Sequence, residues 1–324
     1  GAKLVCLRMM GGTGYWPYGL DALRALSRGG GPRLLVVPGE DRWDPALEAY
    51  STVGRADADL FWRCCVEAGP GNIARALDLA RHLVGAGPRP TEPEPLPEFG
   101  FWLPGRGIVS RAEALRAAGG RPFAPILFYR ALIEGGSTEP VDALGAALDR
   151  LGIAAAGLFV TSLKNAVVVE RLAAFFREAP PAIVLNGTAF AISKPGRSHE
   201  PTVLDTPGRP VLQIVFAGTS RAAWQQSKRG LAPRDLIMNI ALPEVDGRVL
   251  TRTVSFKEER AGDAATDSRI VAYRADAERI GFVAQLAANW VRLACKPAAD
   301  RRVALVLSNY PGRSGRIGNG VGLD

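Results

Sequence analysis

Short apolar runs alternate with segments of helical periodicity along most of this chain of 324 residues. The runs have the length and the β-branched content of buried strands, and most end in small or polar residues. This alternation predicts parallel, doubly wound sheets with helices on both faces. The predicted fold class is α/β, with two Rossmann-like or flavodoxin-like lobes arranged as in periplasmic binding proteins, and the start of a third α/β domain. Strands are predicted at 3–8, 33–37, 125–130, 156–160, 182–185, 211–216, 236–242, 249–256 and 303–307.

A proline-rich stretch at Gly85–Glu98 divides the chain and holds five prolines and three acidic residues. Proline removes a hydrogen-bond donor and fixes its own backbone, so this stretch predicts a linker with few contacts to either lobe. The predicted units are an N-terminal lobe at 1–87, a linker and connector at 88–121, a second lobe at 122–257, a loop and long packing helix at 258–300, and the start of the next domain at 301–324.

The charge balance limits the classes of partner, and the cysteine content indicates the cellular compartment. Lysine and arginine exceed the acidic residues by 40 − 32 = 8, which favours an anionic partner. The basic residues are scattered and form no stripe interleaved with aromatics, so we predict no nucleic-acid partner. No apolar run approaches the roughly 20 residues of a membrane span, and we predict none. The four cysteines lack CxxC spacing, which argues against a zinc site and predicts a reduced, cytoplasmic protein.

Polar residues after the predicted strands are the candidates for ligand binding. The carboxyl ends of parallel strands share one edge of an open α/β sheet, and ligands bind there. Ile183–Glu200 passes from a strand into a polar loop that holds one of the two histidines. An ordinary surface loop is the alternative for this stretch. The glycine-rich turn at 9–14 has neither GxGxxG nor the Lys-Ser/Thr of a P-loop, so it indicates a nucleotide site only weakly.

Five motifs together resemble one family, the CobN-type large subunit of cobaltochelatase, which is related to the large subunit of magnesium chelatase. The motifs follow one another in order through the whole chain, and the family's chain is much longer. The resemblance therefore implies that this sequence is part of the family's N-terminal portion. The motifs are GTGYWPYGLDAL at 12–23, LFYRALIEGG at 127–136, VLNGTAF at 184–190, ALPEVDG at 241–247 and LSNYPGRSGRIGNGVGLD at 307–324.

The resemblance implies ATP-dependent insertion of cobalt into a corrin precursor, hydrogenobyrinic acid a,c-diamide, in cobalamin biosynthesis. It implies that the large subunit holds cobalt and macrocycle, while AAA+ and accessory subunits hydrolyse the ATP. The missing P-loop fits that division of labour, and the positive net charge fits a ring edged with carboxylates. We expect the fragment alone to lack chelatase activity, because it has no ATP site and an incomplete cavity.

Chelation needs a route for the metal and a base for the two leaving pyrrole protons. Cobalt accepts imidazole nitrogen and carboxylate oxygen, and either group can act as a base. We therefore expect His199 and Glu244 to be catalytic, and His199 and Glu200 to bind the metal. A histidine beside a carboxylate is held in one tautomer and made more basic. A solvated loop charge or a helix cap is the alternative for each. The expected substrate-binding residues are Arg130, Glu134, Lys164, Asn186, Arg197 and Asp246.

Three alternatives to the cobaltochelatase hypothesis stay open at this point. The first is a magnesium chelatase-type subunit, because the chemistry of the residues does not separate the two metals. The second is a ligand-binding module without chemistry, of the two-lobed periplasmic-binding type. The third is a structural head domain that docks the AAA+ partner.

Overall fold

The structure is a computed structural model that describes residues 1–194, 196, 201–263 and 265–306. It has a two-stranded sheet in the first third of the chain and an eight-stranded sheet that takes up most of the remainder. The predicted α/β class is confirmed. The predictions at Arg197, His199 and Glu200 lie outside the described residues.

The first region is built on a parallel pair of strands, β1 (Leu4–Met9) and β2 (Arg33–Pro38). The helix α1 (Pro17–Arg28) connects them, and its proline at the first position is already in helical geometry. Side chains of β2 alternate between two separate apolar clusters, so helices cover both faces. Both strands were predicted. Three more helices complete the region: α2 (Pro45–Glu48), α3 (Arg55–Glu67) and α4 (Gly69–Leu83).

The larger sheet has the strand order β10-β9-β8-β7-β5-β6-β3-β4. The strands β5 to β9 are parallel, whereas β3, β4 and β10 pair antiparallel at the two ends. The bounds are β3 (Phe99–Leu103), β4 (Gly107–Val109), β5 (Phe123–Tyr129), β6 (Ala154–Val160), β7 (Val184–Asn186), β8 (Val211–Ala217), β9 (Val249–Asp263) and β10 (Ser268–Ala275).

Helices cover both faces of this sheet. Apolar residues of α7 and α12 form one core against it, and those of α5 and α8 form the other. Successive side chains of β5 face opposite sides of the sheet, and both sides are apolar. Ile126 and Phe128 belong to the first core, whereas Leu127 belongs to the second. The helices are α5 (Arg111–Ala118), α6 (Ala131–Glu134), α7 (Glu139–Arg150), α8 (Ala166–Glu178), α9 (Arg221–Gln226), α10 (Pro233–Leu236), α11 (Leu242–Glu244) and α12 (Ala277–Cys295), with a π-helical turn at Ile237–Ala241.

The parallel part of the sheet has the order β6-β5-β7-β8-β9, which is the 2-1-3-4-5 order of flavodoxin-like folds. The chain crosses from β5 to β6 on one side and then returns to place β7 on the other side of β5. The strand order therefore reverses at β5, and the switch point lies between β5 and β7. Ligands of such folds bind at the carboxyl ends of the strands beside this point.

The strand predicted at 236–242 is wrong. These residues form the end of α10, the π-helical turn and the start of α11. Pro233 and Pro243 each lie in the first turn of a helix, where the missing N–H is not needed. The apolar Leu236 and Ile237 are exposed, so the run does not have the burial that a central strand requires.

Four smaller differences concern individual strands. The connector predicted at 99–103 is β3, which pairs with β6 and so belongs to the sheet of the second predicted lobe. The predicted loop from 258 is the β9–β10 hairpin, because β9 continues to Asp263. The strand predicted at 182–185 begins at Val184. Residues 303–306 form no strand, and 307 lies outside the described residues.

The proline-rich stretch at 85–98 forms no helix or strand, but it does have contacts on both sides. The Asn72 amide of α4 donates to the backbone oxygen of Glu94 at 2.8 Å and accepts from its N–H at 2.9 Å. Arg130, at the start of α6, donates to the backbone oxygen of Leu96 at 2.8 Å. These bonds attach the stretch to the first region and to the large sheet. The expectation of few contacts is therefore wrong, while the domain boundaries stay predictions.

Candidate functional site

Two adjoining cavities lie at the carboxyl ends of the parallel strands, beside the switch point. The switch-point cavity has a volume of about 360 Å³ and the adjoining cavity about 250 Å³. Tyr129, Ala189 and Phe190 line both cavities, so these three residues form the wall between them. Cavities of about 430 and 460 Å³ lie elsewhere, one at the amino end of β5 and one between α4 and α6. Position at the carboxyl edge, rather than size, identifies the first two as the candidate site.

The loop after β7 is held in an unusual conformation at this wall. Phe190 has φ +66°, a left-handed backbone that side-chain-bearing residues rarely adopt, and its ring is half exposed. Its N–H donates to the backbone oxygen of Met238 at 2.8 Å, in the π-helical turn. Tyr129 donates its hydroxyl to the backbone oxygen of Ala189 at 2.9 Å. Such backbone outliers and π-helical turns occur preferentially at functional sites.

The switch-point cavity combines aromatic walls with cationic residues. Tyr129, Phe216 and Tyr273 contribute aromatic surface, and burial raises the pKa of both tyrosines above the ordinary value. Both phenols are therefore neutral hydrogen-bonding groups near pH 7. Lys257 and Arg234 supply positive charge. Asp235 is buried and accepts from the N–H of Gly218 at 2.9 Å and from the Asn239 amide at 3.3 Å.

A buried polar network lies at the same edge, behind the loop that follows β7. Asp246 accepts from the N–H of Ile192 at 2.7 Å, from the N–H of Ser193 at 3.0 Å and from the Ser193 hydroxyl. Arg248 donates to Asp246 at 2.7 Å and to the backbone oxygen of Thr188 at 3.3 Å. The network thus connects both ends of the segment 188–193 to the residues that precede β9.

The acidic member of the network is held ionised. Burial by itself raises the pKa of Asp246, but the hydrogen bonds from Ser193 and Ile192 and the Arg248 guanidinium together lower that pKa below its ordinary value. Burial lowers the pKa of Arg248, which Asp246 partly offsets. Asp246 and Arg248 are buried, bind each other and have several further partners within the chain. We therefore assign them a structural role rather than a role in ligand binding.

The structure places the predicted site residues differently. Asn186 is buried at the end of β7, where its amide donates to Gln213 at 2.8 Å. Arg130 is bonded to Glu134 at 2.7 Å and to the backbone of Leu96, so two of its guanidinium nitrogens are bonded within the chain. The structural contacts of Asn186, Arg130, Glu134 and Asp246 were not foreseen, and their substrate roles stay predictions that no contact here supports.

Among the predicted site residues that the structure describes, Lys164 and Glu244 have side chains that remain available to a ligand. Lys164 is exposed and lines the adjoining cavity. Glu244 is exposed at the end of α11, two residues before Asp246, and not at the end of a strand as predicted. Ser193 bonds to Asp246, which follows Glu244 by two residues in the sequence. The pairing of His199 with Glu244 stays a prediction, because His199 lies outside the described residues.

Sequence analysis missed Lys257, Arg234 and Tyr273. Lys257 follows Phe256, the last residue of β9 that pairs with β8, so it occupies the carboxyl end of a parallel strand. The signal was available in the sequence, since a strand was predicted to end at 256. Arg234 and Tyr273 belong to elements that were predicted as something else or not at all. Within the described residues, no group of three or more His, Cys, Asp and Glu side chains could hold a metal ion.

Comparison with known proteins places this geometry in a family. A family model described as CobN/Magnesium Chelatase matches residues 62–324. The chain belongs to the CobN/magnesium chelatase family. The resemblance seen in the sequence motifs is thereby confirmed, and with it the relation to cobaltochelatase and magnesium chelatase subunits.

The similarity to individual relatives covers this whole chain but only a part of theirs. The aerobic cobaltochelatase subunit CobN of Sinorhizobium sp is 45% identical over 332 residues, which is 100% of this chain and 26% of that protein. The subunit of the same name from Pseudomonas aeruginosa is 38% identical, with the same coverage. The catalytic subunit of cobaltochelatase from Mycobacterium tuberculosis superposes with a TM-score of 0.78 at 28% identity, over 98% of this chain and 25% of that one.

The chain therefore spans about a quarter of the length of these relatives. In the part of the chain that the structure describes, none of the helices combines the length and apolar character needed to cross a membrane.

Proposed function

We propose that this chain is part of the metal- and macrocycle-binding large subunit of an ATP-dependent cobaltochelatase, which inserts Co²⁺ into hydrogenobyrinic acid a,c-diamide during cobalamin biosynthesis. The observation that carries the proposal is the pair of aromatic-walled cavities at the switch-point edge, with lysines at both, in a chain 45% identical to a cobaltochelatase subunit. That identity favours cobalt over the magnesium of the wider family.

The cavities suit one edge of a flat ring. Tyr129 and Phe190 offer aromatic surface on which a conjugated ring can stack, and Lys164 offers a charge for a ring carboxylate. A ligand pocket of this kind is mostly apolar, with few polar groups that set orientation. We propose that the rest of the protein, which in the relatives is about three times as long as this chain, covers the remainder of the macrocycle.

The chemistry proposed for this edge is metal delivery and proton removal. Cobalt is the substrate metal, and His199 and Glu200 are proposed to bind it on its way to the ring. Glu244 is exposed and lies two residues before Asp246, which is bonded to Ser193, so Glu244 is proposed as the base that accepts the pyrrole protons. Separate AAA+ and accessory subunits are proposed to hydrolyse the ATP, and the assembly is proposed to be cytoplasmic.

The test is Glu244→Gln in the complete protein, assayed for cobalt insertion with its partner subunits and ATP. The amide keeps the shape of the side chain but accepts no proton, so insertion should fall by roughly a hundredfold or more, within the usual range for a lost general base. Binding of the macrocycle and thermal unfolding should stay at wild-type values. Glu170→Gln, an exposed carboxylate of α8 that lines neither cavity, is the matched control.

Insertion at the wild-type rate by Glu244→Gln would remove Glu244 from the mechanism. Insertion of Mg²⁺ in place of Co²⁺ by the wild-type assembly would favour the magnesium chelatase alternative.

A further inference from the structure

Two cations of the switch-point cavity have no acidic partner in the part of the chain that the structure describes. Neither Lys257 nor Arg234 forms an ion pair with a carboxylate of the described residues, and both are exposed. Two other arginines are paired: Arg221 with Asp276 at 3.2 Å, and Arg252 with Glu278 at 2.8 Å. Lysine and arginine side chains that line a cavity without such a partner leave their charge available to a ligand.

Among the described residues, Asp235 is the carboxylate that lines this cavity, and it forms no ion pair with Lys257 or Arg234. Asp235 uses its oxygens to accept from the backbone N–H of Gly218 and from the Asn239 amide, both within the chain. Its side chain is buried, so its hydrogen-bonding capacity serves the turn after β8. The cavity therefore presents two positive groups against one negative group that is already bonded.

The cations stand beside an aromatic surface. The Lys257 ammonium lies 5.5 Å from the centre of the Tyr273 ring, and the Tyr273 and Phe216 rings are 6.1 Å apart. Phe190 and Tyr129 also line the cavity. A ligand that fits both features has a flat apolar body and a carboxylate at its edge.

We propose that Lys257 and Arg234 form a carboxylate-binding subsite, which holds an acidic side chain of the macrocycle while the ring stacks at Phe190 and Tyr129. This inference rests on the proposed function and names residues for one of its contacts. It also separates these two cations from Arg130, whose donors are bonded to Glu134 and to the backbone of Leu96.

The experiment measures ring binding to the complete protein by the change in ring absorbance. One probe is hydrogenobyrinic acid a,c-diamide, and the other is the same ring with its remaining carboxylates amidated. Lys257→Met and Arg234→Gln should each weaken binding of the acid about tenfold, the effect of losing one charge-assisted hydrogen bond, and change binding of the amide less than about twofold. Lys296→Met, an exposed lysine at the end of α12 that lines neither cavity, should change neither.

The outcomes separate the subsite from the function. If the wild type binds the acid and both variants bind it equally well, the subsite is wrong and the proposed function stands. If a variant binds the acid and the amidated ring equally weakly, the substituted residue supports the fold rather than the carboxylate contact, which also overturns the subsite. If inorganic phosphate displaces the acid as strongly as an equal concentration of free ring, the subsite is a general anion site. Failure of the wild type to bind either ring overturns the proposed function and this inference together.

Discussion

Two pairs of charged residues lie at the same edge of the large sheet and differ in what they bind. Asp246 and Arg248 are each 5% exposed, bonded to one another and to the segment 188–193. Lys257 and Arg234 are exposed and have no carboxylate partner among the described residues. The difference teaches that position at the carboxyl edge does not by itself identify a ligand residue. What decides is whether the chain already uses the side chain's hydrogen-bonding capacity.

The largest expected effect concerns the buried pair of Asp246 and Arg248. Asp246→Ala leaves the Arg248 guanidinium buried without its counter-charge, which costs about 3–5 kcal/mol. Hydrogen exchange of the Ile192 and Ser193 amides, which donate to Asp246, should therefore quicken by about a hundredfold or more. Glu244→Ala, two residues away and exposed, is the control and should leave these amides at wild-type rates.

A second variant shows whether the cost comes from the unpaired charge. Replacing both partners, as Asp246→Leu with Arg248→Met, removes the buried charge together with its partner and should recover part of the lost protection. Wild-type exchange rates in Asp246→Ala would contradict the structural role given to this pair.

A smaller effect is expected from pH. The folded-state pKa of Asp246 lies below its ordinary value of 3.8, so its contribution to stability is present above that value and is lost as pH falls through the folded-state pKa. Protection of the Ile192 and Ser193 amides, corrected for intrinsic exchange, should fall as pH is lowered below about 4. The effect is smaller than that of Asp246→Ala, because the protonated acid still fills its site. Asp246→Asn should abolish the dependence, and an unchanged profile in that variant would assign it to another group.

Much of the fold followed from hydrophobic periodicity. β5, β6 and β8 lie within two residues of their predicted bounds, because buried strands leave a strong local pattern. The apolar run at 236–242 carries no such information about burial. Leu236 and Ile237 are apolar, so the sequence indicated a strand, but both are exposed in the structure. Two prolines, one on either side, begin helices. β10 was missed because none of its side chains is buried.

The candidate site was predictable in place but not in composition. The ends of parallel strands fix the edge, and that part needs only the alternation of elements. Ser193 and Ile192, which donate to Asp246, lie 53 and 54 residues away in the sequence, so its role could not be inferred from its neighbours. Lys257 was accessible to sequence reasoning as the residue after a predicted strand, whereas Arg234 required the correct assignment of α10.

The most direct test of the central claim is a structure of the complete protein with hydrogenobyrinic acid a,c-diamide bound. The account predicts the ring at the carboxyl edge of β5 and β7, stacked against Phe190 and Tyr129. A ring carboxylate should lie within about 4 Å of the Lys257 ammonium, the distance of an ion pair. A ring bound at another part of the protein, with the switch-point cavity filled by solvent and Lys257 without a contact, would contradict it.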